Sequence, residues 1–106
     1  MLFLWSANLE KGRDKEYKRW ITKNVDTYRK RAPKGWKLLG VYGASMNIGR
    51  HDVTWIWEFS KYKEIDDMFD MDDPVVNRLL KEEYDFYVPG SMSSTVLRAV
   101  KDWRLP

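Results

Sequence analysis

The chain contains the run Val53-Thr54-Trp55-Ile56-Trp57-Glu58-Phe59, whose β-branched and aromatic residues are typical of a strand. Successive side chains of a strand point to opposite faces of a sheet. One face of this run is entirely apolar, and the other still carries Ile56 between Thr54 and Glu58. A sheet with one face in water alternates apolar and polar residues more strictly. The run therefore predicts a strand that is covered on both faces.

A second run, Trp36-Lys37-Leu38-Leu39-Gly40-Val41-Tyr42, has the same property. Regular alternation divides its apolar positions into two sets, Trp36/Leu38/Gly40/Tyr42 and Leu39/Val41. The 106 residues predict a single domain, spanning 1–106, with enough helix to cover one face of a small sheet. We therefore expect a second copy of the chain to cover the other face. Trp57, Ile56 and Val41 are the residues expected at this homodimer interface.

Hydrophobic spacing and turn residues predict the order of elements along the chain. The expected strands span residues 1–9, 36–44, 53–59 and 92–100, and the expected helices span residues 14–31, 61–71 and 73–87. Asp14, Ser60 and Asp73 are the expected N-caps, and Pro74 fits the first helical position after Asp73. Residues 47–52 are expected to connect two strands, and residues 101–106 form a tail with Trp103. The order βαββαβ predicts an α+β, ferredoxin-like fold with a four-stranded antiparallel sheet and helices on one face.

Composition excludes several kinds of site. The chain has no cysteine, so disulfides, thiolate metal sites and a cysteine nucleophile are ruled out. No segment approaches the roughly 20 apolar residues of a membrane span, and the apolar residues 1–5 lack the basic lead-in of a signal peptide. We expect a cytoplasmic protein that does not enter a membrane. Many Lys, Arg and Glu residues without any Gln also fit a thermophilic source.

The charges are unevenly distributed along the chain. Residues 15–37 contain nine basic and two acidic residues, whereas residues 58–85 contain ten acidic and four basic residues. A basic helix can bind nucleic acid. Two solvated helix faces of opposite charge that attract each other explain the same pattern, and a compensating acidic block is rare in nucleic-acid-binding domains. Nucleic acid is therefore the disfavoured partner.

Several motifs resemble the dimeric α/β-barrel superfamily, and within it the NIPSNAP-like branch. They are Leu9-Glu10-Lys11-Gly12 before a helix with Glu16, Tyr17 and Trp20; the run 36–42; Ile48-Gly49; Trp57-Glu58-Phe59-Ser60; and Asp72-Asp73-Pro74. The resemblance implies a homodimeric α/β barrel with a pocket between the sheet and the helices of each subunit. It implies a small-molecule-binding or accessory homodimer. The alternative that it implies is a cofactor-independent monooxygenase, or a related enzyme, acting on an aromatic small molecule.

The same resemblance bears on cofactors. Haem-degrading members of the superfamily hold iron through a histidine on a late helix, and here the run 77–84 contains none. The acidic residues between 66 and 73 lack the alternating ligands and the glycine of a calcium loop. The chain also lacks a phosphate loop, a serine-nucleophile elbow and a dinucleotide glycine pattern. We therefore expect no cofactor and no metal, and the partners that remain are a second copy and a small hydrophobic or aromatic ligand.

The residues expected to contact a ligand in the pocket have large or polar-tipped side chains. They are Tyr17, Tyr42, Trp55, Tyr84 and Arg98. Trp55 belongs to an aromatic face that would also suit base stacking, although the spacing differs from that of an RNA-binding strand. His51 beside Asp52 is a catalytic candidate as a general base, and Tyr42 is a second one. Such a pair more often forms a loop hydrogen bond or a strand-end turn, and this structural explanation is the favoured one.

Overall fold

The computed structural model describes residues 1–46 and 48–104. Its elements are β1 (Leu2–Ala7), α1 (Asp14–Lys30), β2 (Lys37–Ser45), β3 (Ile48–Glu58), α2 (Lys63–Phe69), α3 (Pro74–Tyr84) and β4 (Ser93–Leu97), followed by a single 3-10 turn (Val100–Asp102). Asn47 of the expected connection and the last two residues of the expected tail lie outside the described residues.

The four strands form one antiparallel sheet in the order β2-β3-β1-β4. Because β3 lies between β1 and β2, the first two strands in the chain run parallel without being neighbours. This order, with helices between β1 and β2 and between β3 and β4, is the ferredoxin-like arrangement. The fold class predicted from the sequence is therefore confirmed.

The core lies between the helices and one face of the sheet. Strand β3 buries Val53, Trp55 and Trp57, and β1 places Phe3 opposite Trp57. The side chains of Thr54, Ile56 and Glu58 point to the other face, which no helix covers among the described residues. The alternation predicted for β3 is confirmed, and the open, uncovered face of this strand carries the apolar Ile56 between the polar Thr54 and Glu58.

Strand β2 does not alternate regularly. Leu38 is paired with Trp57, but the next register pair joins Gly40 to Ile56, so Leu39 is the extra residue of a β-bulge. The bulge moves Val41 to the helix-facing side and leaves Gly40 and Tyr42 on the open face. The prediction that Trp36, Leu38, Gly40 and Tyr42 share one face is therefore wrong, because every residue beyond a bulge changes face.

The structure confirms one of the three N-cap residues that the sequence predicts. Asp73 caps α3, its Oδ1 accepting the N–H of Val75 at 2.9 Å, and Pro74 opens the helix as expected. Asp14 is not the N-cap of α1, because that position is Arg13 and no side chain caps it. Ser60 does not cap α2 either, because the N-cap position is Tyr62 and no side chain caps it. The Ser60 N–H donates to Glu64 Oε1 at 3.1 Å.

Two strand boundaries also differ from the expectation. Strand β3 starts at Ile48, so most of the expected connection 47–52 is instead part of a longer hairpin with β2. Strand β4 is limited to Ser93–Leu97, and the chain then turns back at Trp103, whose indole N–H donates to the Arg98 carbonyl at 3.3 Å. The hairpin extension reaches beyond the core, and most of its described residues are exposed.

Candidate functional site

A buried carboxyl group lies where α1 and α3 meet the sheet. Val76, Leu79 and Glu83 follow one another at helical spacing on α3, and all three face the core. Glu83 is 1% exposed and is the buried charged residue of the described chain. Tyr17 and Tyr28 approach it from α1, three turns apart on the same face of that helix.

The carboxyl group is surrounded by tyrosine hydroxyls. Tyr28 donates to Glu83 Oε1 at 2.9 Å, and Tyr87 donates to Glu83 Oε2. The hydroxyl of Tyr17 lies 2.7 Å from that of Tyr87 and 3.3 Å from Oε2. The indole N–H of Trp55 donates to the Tyr17 hydroxyl at 3.3 Å. Because Tyr17 has one proton, a consistent chain runs from Trp55 through Tyr17 and Tyr87 to Glu83.

Burial sets the protonation of this cluster. Desolvation raises the pKa of Glu83 to about 7, although the hydroxyl donors act in the opposite direction. None of the four ion pairs between described residues includes Glu83. Burial first, and the Glu83 charge second, raise the pKa of Tyr17, Tyr28 and Tyr87, so these phenols remain donors at neutral pH. The site thus holds a carboxyl group that changes charge near pH 7.

A cavity of about 370 Å³ adjoins this cluster between the sheet and the helices. Its walls are mostly apolar and aromatic, and they come from β1, β3, the three helices and the segment between α2 and α3. The lining residues are Phe3, Trp5, Tyr28, Ala32, Trp55, Trp57, Met68, Phe69, Met71, Val76, Asn77, Leu80, Glu83 and Tyr84. Glu83 and Tyr28 form the buried polar part of the wall, whereas Phe69 and Tyr84 are exposed at the rim.

The aromatic rings of the cavity also pack against one another. Trp5 stacks on Tyr84 with ring centroids 6.0 Å apart, and Tyr28 meets Trp55 edge to face at 4.9 Å. Such pairs add stability beyond the area that they bury. The walls are therefore flat and well fixed, and Glu83 is the carboxylic acid among the described residues that line them.

This arrangement can act chemically in two ways. An ionised Glu83 can accept a hydrogen bond or pair with a positive charge, and its three tyrosines hold it in place. With a pKa of about 7 it can also take a proton from a weakly acidic group, since a general base works best near the operating pH.

Three of the five expected ligand-contacting residues lie in this region. Trp55 and Tyr84 line the cavity, and Tyr17 lies behind Glu83 in the hydroxyl cluster. Tyr42 is on the open face of the sheet and is 55% exposed. Arg98 lies in a separate shallow groove of about 970 Å³ together with Glu58 and Asp102. The structure therefore does not bring Tyr42 or Arg98 to the cavity.

His51 is also remote from the cavity. It is half-buried in β3. Its neighbour Asp52 forms hydrogen bonds with the residues that follow β1. Asp52 Oδ2 accepts the N–H of Leu9 at 2.9 Å, and the Asp52 N–H donates to Asn8 Oδ1 at 3.0 Å. These bonds give Asp52 a structural role at the end of β1. Within residues 1–46 and 48–104, no three His, Asp or Glu side chains converge as metal ligands.

The three residues expected at a dimer interface do not share one face. Ile56 lies on the open face, but Trp57 is 8% exposed beneath the helices and Val41 packs against the same core. Trp57 points away from Ile56 because neighbours on a strand alternate. The bulge at Leu39 turns Val41 to the helix side. The expectation that Trp57, Ile56 and Val41 share an interface is therefore wrong. Of these three residues, Ile56 lies on the open face.

Glu83 and Tyr28 are the main site residues that were not predicted from the sequence. The spacing of Val76, Leu79 and Glu83 places an acid on the buried stripe of α3, and this signal was available in the sequence. A charged residue on a helix is usually solvated, however, so the spacing alone does not predict that Glu83 is buried. Only the packing of α1 against α3 reveals the hydroxyl donors.

Comparisons with known proteins support the fold. No protein-family model matches the chain, and no curated protein matches it either. A protein from Agrobacterium tumefaciens, whose crystal structure was solved as a structural genomics target, is similar over 100% of both chains with a TM-score of 0.75 and 17% identity. At this identity the likeness concerns the fold. No helix in the described part of the chain combines the length and the apolar character that crossing a membrane requires.

Proposed function

We propose that this chain is a homodimer that binds a small, mostly apolar or aromatic molecule between the sheet and the helices of each subunit. One observation carries the proposal: an aromatic-walled cavity of about 370 Å³ has the buried Glu83 in its wall. Small-molecule sites are commonly concave, mostly apolar and equipped with a few polar groups that orient the ligand. The resemblance to NIPSNAP-like dimeric α/β barrels favours the same place for a ligand.

The open face of the sheet supports the homodimer. Leu4 of β1 lies opposite Ile56 of β3, and Leu2 lies opposite Leu97 of β4. These apolar side chains share a face that receives no helix within the described residues. An antiparallel sheet tolerates one wet face, but that face is then normally polar. A second copy that contributes the same face would bury both apolar surfaces in a symmetric, two-fold contact.

Native mass spectrometry of the freshly purified protein tests both parts of the proposal. A dimer that carries a defined extra mass, lost on denaturation, is the expected result. A clean monomer would contradict the homodimer. A dimer without extra mass leaves the cavity to be probed directly, by ligand-observed NMR with a panel of small aromatic molecules.

A variant with a filled cavity tests whether the aromatic molecules bind in that cavity. Ala32 lines the cavity, so Ala32→Phe should abolish the binding of aromatic probes. Thr22→Phe adds the same ring to the solvent face of α1 and is the matched control. Binding that survives Ala32→Phe, or that is lost equally in both variants, would contradict the assignment of the cavity.

A second candidate function is a cofactor-independent monooxygenase, or a related enzyme, acting on an aromatic small molecule. The specific observation in its favour is the pKa of about 7 at Glu83, which suits removal of a proton from a phenol. The resulting phenolate is the electron-rich species that reacts with dioxygen. Tyr42, His51 and Arg98 would take no part, because none of them lines the cavity.

Oxygen uptake distinguishes the two functions. With a small phenol such as 1-naphthol, an enzyme of this kind should consume oxygen in the wild type and lose at least a hundredfold in rate in Glu83→Gln. His51→Ala and Tyr42→Phe should leave the rate unchanged. Binding of 1-naphthol without oxygen uptake would favour the binding protein.

A further inference from the structure

We propose that the molecule bound in the cavity is an organic cation, an amine whose ammonium group pairs with the Glu83 carboxylate. This inference rests on the proposed binding function and specifies its ligand class. It follows from three features of the described residues: an acid without a positive partner, a carboxylate with free acceptor positions, and walls of aromatic rings.

The first feature is the missing counter-charge. Buried acids in folded proteins are normally paired with a cation. Glu83 is 1% exposed, yet its hydrogen-bond partners are neutral phenols, and the ion pairs between described residues do not include it. No lysine, arginine or histidine of the described chain lines the cavity. A cation supplied by a ligand would complete this electrostatic arrangement.

The second feature is the unused capacity of the carboxylate. An ionised carboxylate has about four lone-pair sites. Tyr28 occupies one site on Oε1 and Tyr87 one on Oε2, while the proton of Tyr17 is directed to the closer hydroxyl of Tyr87. Acceptor positions therefore remain, and Glu83 is part of the cavity wall. An ammonium group has up to three donors and no acceptor, so it complements this site better than a hydroxyl group.

The third feature is the composition of the walls. Trp5, Trp55, Trp57 and Tyr84 present aromatic rings to the cavity. The face of an aromatic ring is negative, and it attracts a cation within about 6 Å of the ring centre. The same walls stabilise the apolar body of the ligand. An anionic ligand would meet the negative ring faces and the Glu83 carboxylate together, and the described residues of the walls include no basic side chain to balance it.

Protonation of Glu83 makes the preference dependent on pH. The groups that face its carboxyl are Tyr17 and Tyr28 from α1, Trp55 from β3, and Tyr84 and Tyr87 from α3 and the segment after it. None of them is positively charged. Burial raises the pKa of Glu83 to about 7, so a bound ammonium group should lower that pKa and displace a proton. Affinity for a cation should therefore rise between pH 6 and pH 8.

Three probes of matched size test the inference, because they differ in charge. They are 2-phenylethylamine as the cation, ethylbenzene as the neutral compound and 3-phenylpropionate as the anion. Binding to the wild-type protein is measured by quenching of the tryptophan fluorescence at pH 6, 7 and 8. The amine should bind at least tenfold more tightly than ethylbenzene at pH 8 and weaken about tenfold at pH 6, whereas ethylbenzene should not change. The Glu83→Gln variant should bind the amine and ethylbenzene equally.

The outcomes distinguish a failure of the cation inference from a failure of the proposed binding site. Equal binding of amine and ethylbenzene by the wild type at pH 8 would overturn the cation inference and leave the proposed binding function intact. Failure of all three probes to bind would instead count against the cavity as a binding site. The pH profile uses only the wild-type chain, so the test does not depend on the folding of Glu83→Gln.

Discussion

Tyr28 and Glu83 are 55 positions apart in the chain and are joined by a hydrogen bond of 2.9 Å from the phenol to Oε1. This bond connects the last turns of α1 to the buried stripe of α3. Tyr17 extends the connection, since its hydroxyl lies 2.7 Å from that of Tyr87, beyond the end of α3. The two helices are therefore held together on the sheet by a polar network inside an aromatic core. The same network fixes the carboxyl group at the cavity.

Removal of one donor should weaken this network measurably. Tyr28→Phe keeps the ring and its edge-to-face contact with Trp55 but removes the hydroxyl from Glu83. We expect the free energy of unfolding to fall by about 1–3 kcal/mol at pH 8, where the acceptor is charged. Urea unfolding followed by tryptophan fluorescence measures this change. Tyr62→Phe, at an exposed tyrosine, is the control and should change stability little. Equal effects of the two variants would show that the network contributes nothing.

Stability should decrease as pH rises towards neutrality. The ordinary pKa of 4.5 is raised to about 7 for Glu83 in the folded chain, so the native state holds an extra proton between these values. A proton held by the native state stabilises it, and that stabilisation is complete below about pH 4.5 and lost by about pH 7. The loss amounts to about 3 kcal/mol. The hydrogen bond with Arg31 is the largest cause of the lowered pKa of Asp73. Asp73 therefore affects the free energy of unfolding only in more acidic solution.

Glu83→Gln isolates this effect, because glutamine has nearly the same shape and does not titrate. Unfolding free energies measured from pH 4.5 to pH 8 should fall for the wild type and stay nearly constant for the variant. Asp67→Asn removes one exposed carboxylate and should keep the slope of the wild type. A wild-type profile that is flat over this interval would mean that Glu83 is not desolvated.

The sheet was largely predictable from the sequence, and its exception has a physical cause. Strand β3 alternates strictly from Val53 onwards, because its aromatic residues all face one core. Strand β2 contains a bulge at Leu39, which depends on the register with β3 and leaves no clear local signal. Val41 and Tyr42 were consequently expected on the wrong faces. Asp73-Pro74 was the reliable N-cap signal, since Pro74 fits the first helical position and the Asp73 carboxylate accepts the N–H of Val75, whereas Asp14 and Ser60 do not cap their helices.

The candidate site was only partly predictable. Trp55 and Tyr84 were expected at the cavity because they are large and lie on strands or helices that flank the core. Arg98 was not distinguishable from them by sequence, since its position depends on where β4 ends. The buried Glu83 accepts a hydrogen bond from Tyr28 of α1, which is 55 positions away in the chain. Helical spacing identifies an acid on the buried stripe, but it cannot identify the partners that make the burial tolerable.

Two glycines provide a matched test of packing at the start of α2. Gly35 and Gly12 both have a positive φ, of 91° and 83°, and an added methyl strains either backbone by about 1–2 kcal/mol. A methyl at Gly35 would also lie 1.6 Å from Glu64 Oε2, whereas nothing lies within 4 Å at Gly12. The Glu64 carboxylate accepts the N–H groups of Ser60 and Lys61, so its displacement removes two hydrogen bonds.

Gly35→Ala should therefore destabilise the chain by about 1–2 kcal/mol more than Gly12→Ala. Thermal or urea unfolding of both variants measures the difference. In a Glu64→Ala background the two substitutions should become equivalent, because the obstructing carboxylate is gone. A difference that persists in that background would locate the strain elsewhere.

The last prediction concerns the open face of the sheet. Ile56 lies opposite Leu4 at the centre of this face, so Ile56→Glu places a charge where the proposed dimer buries apolar surface. A buried charge without a partner is strongly unfavourable, and the mass measured by light scattering should fall from that of a dimer to about 12.7 kDa. Thr22→Glu, on the solvent face of α1, should remain dimeric, and circular dichroism checks that both variants are folded. Trp57→Phe should also remain dimeric because Trp57 lies beneath the helices. Dissociation by Trp57→Phe but not by Ile56→Glu would place the interface on the helix side and contradict the proposed assembly.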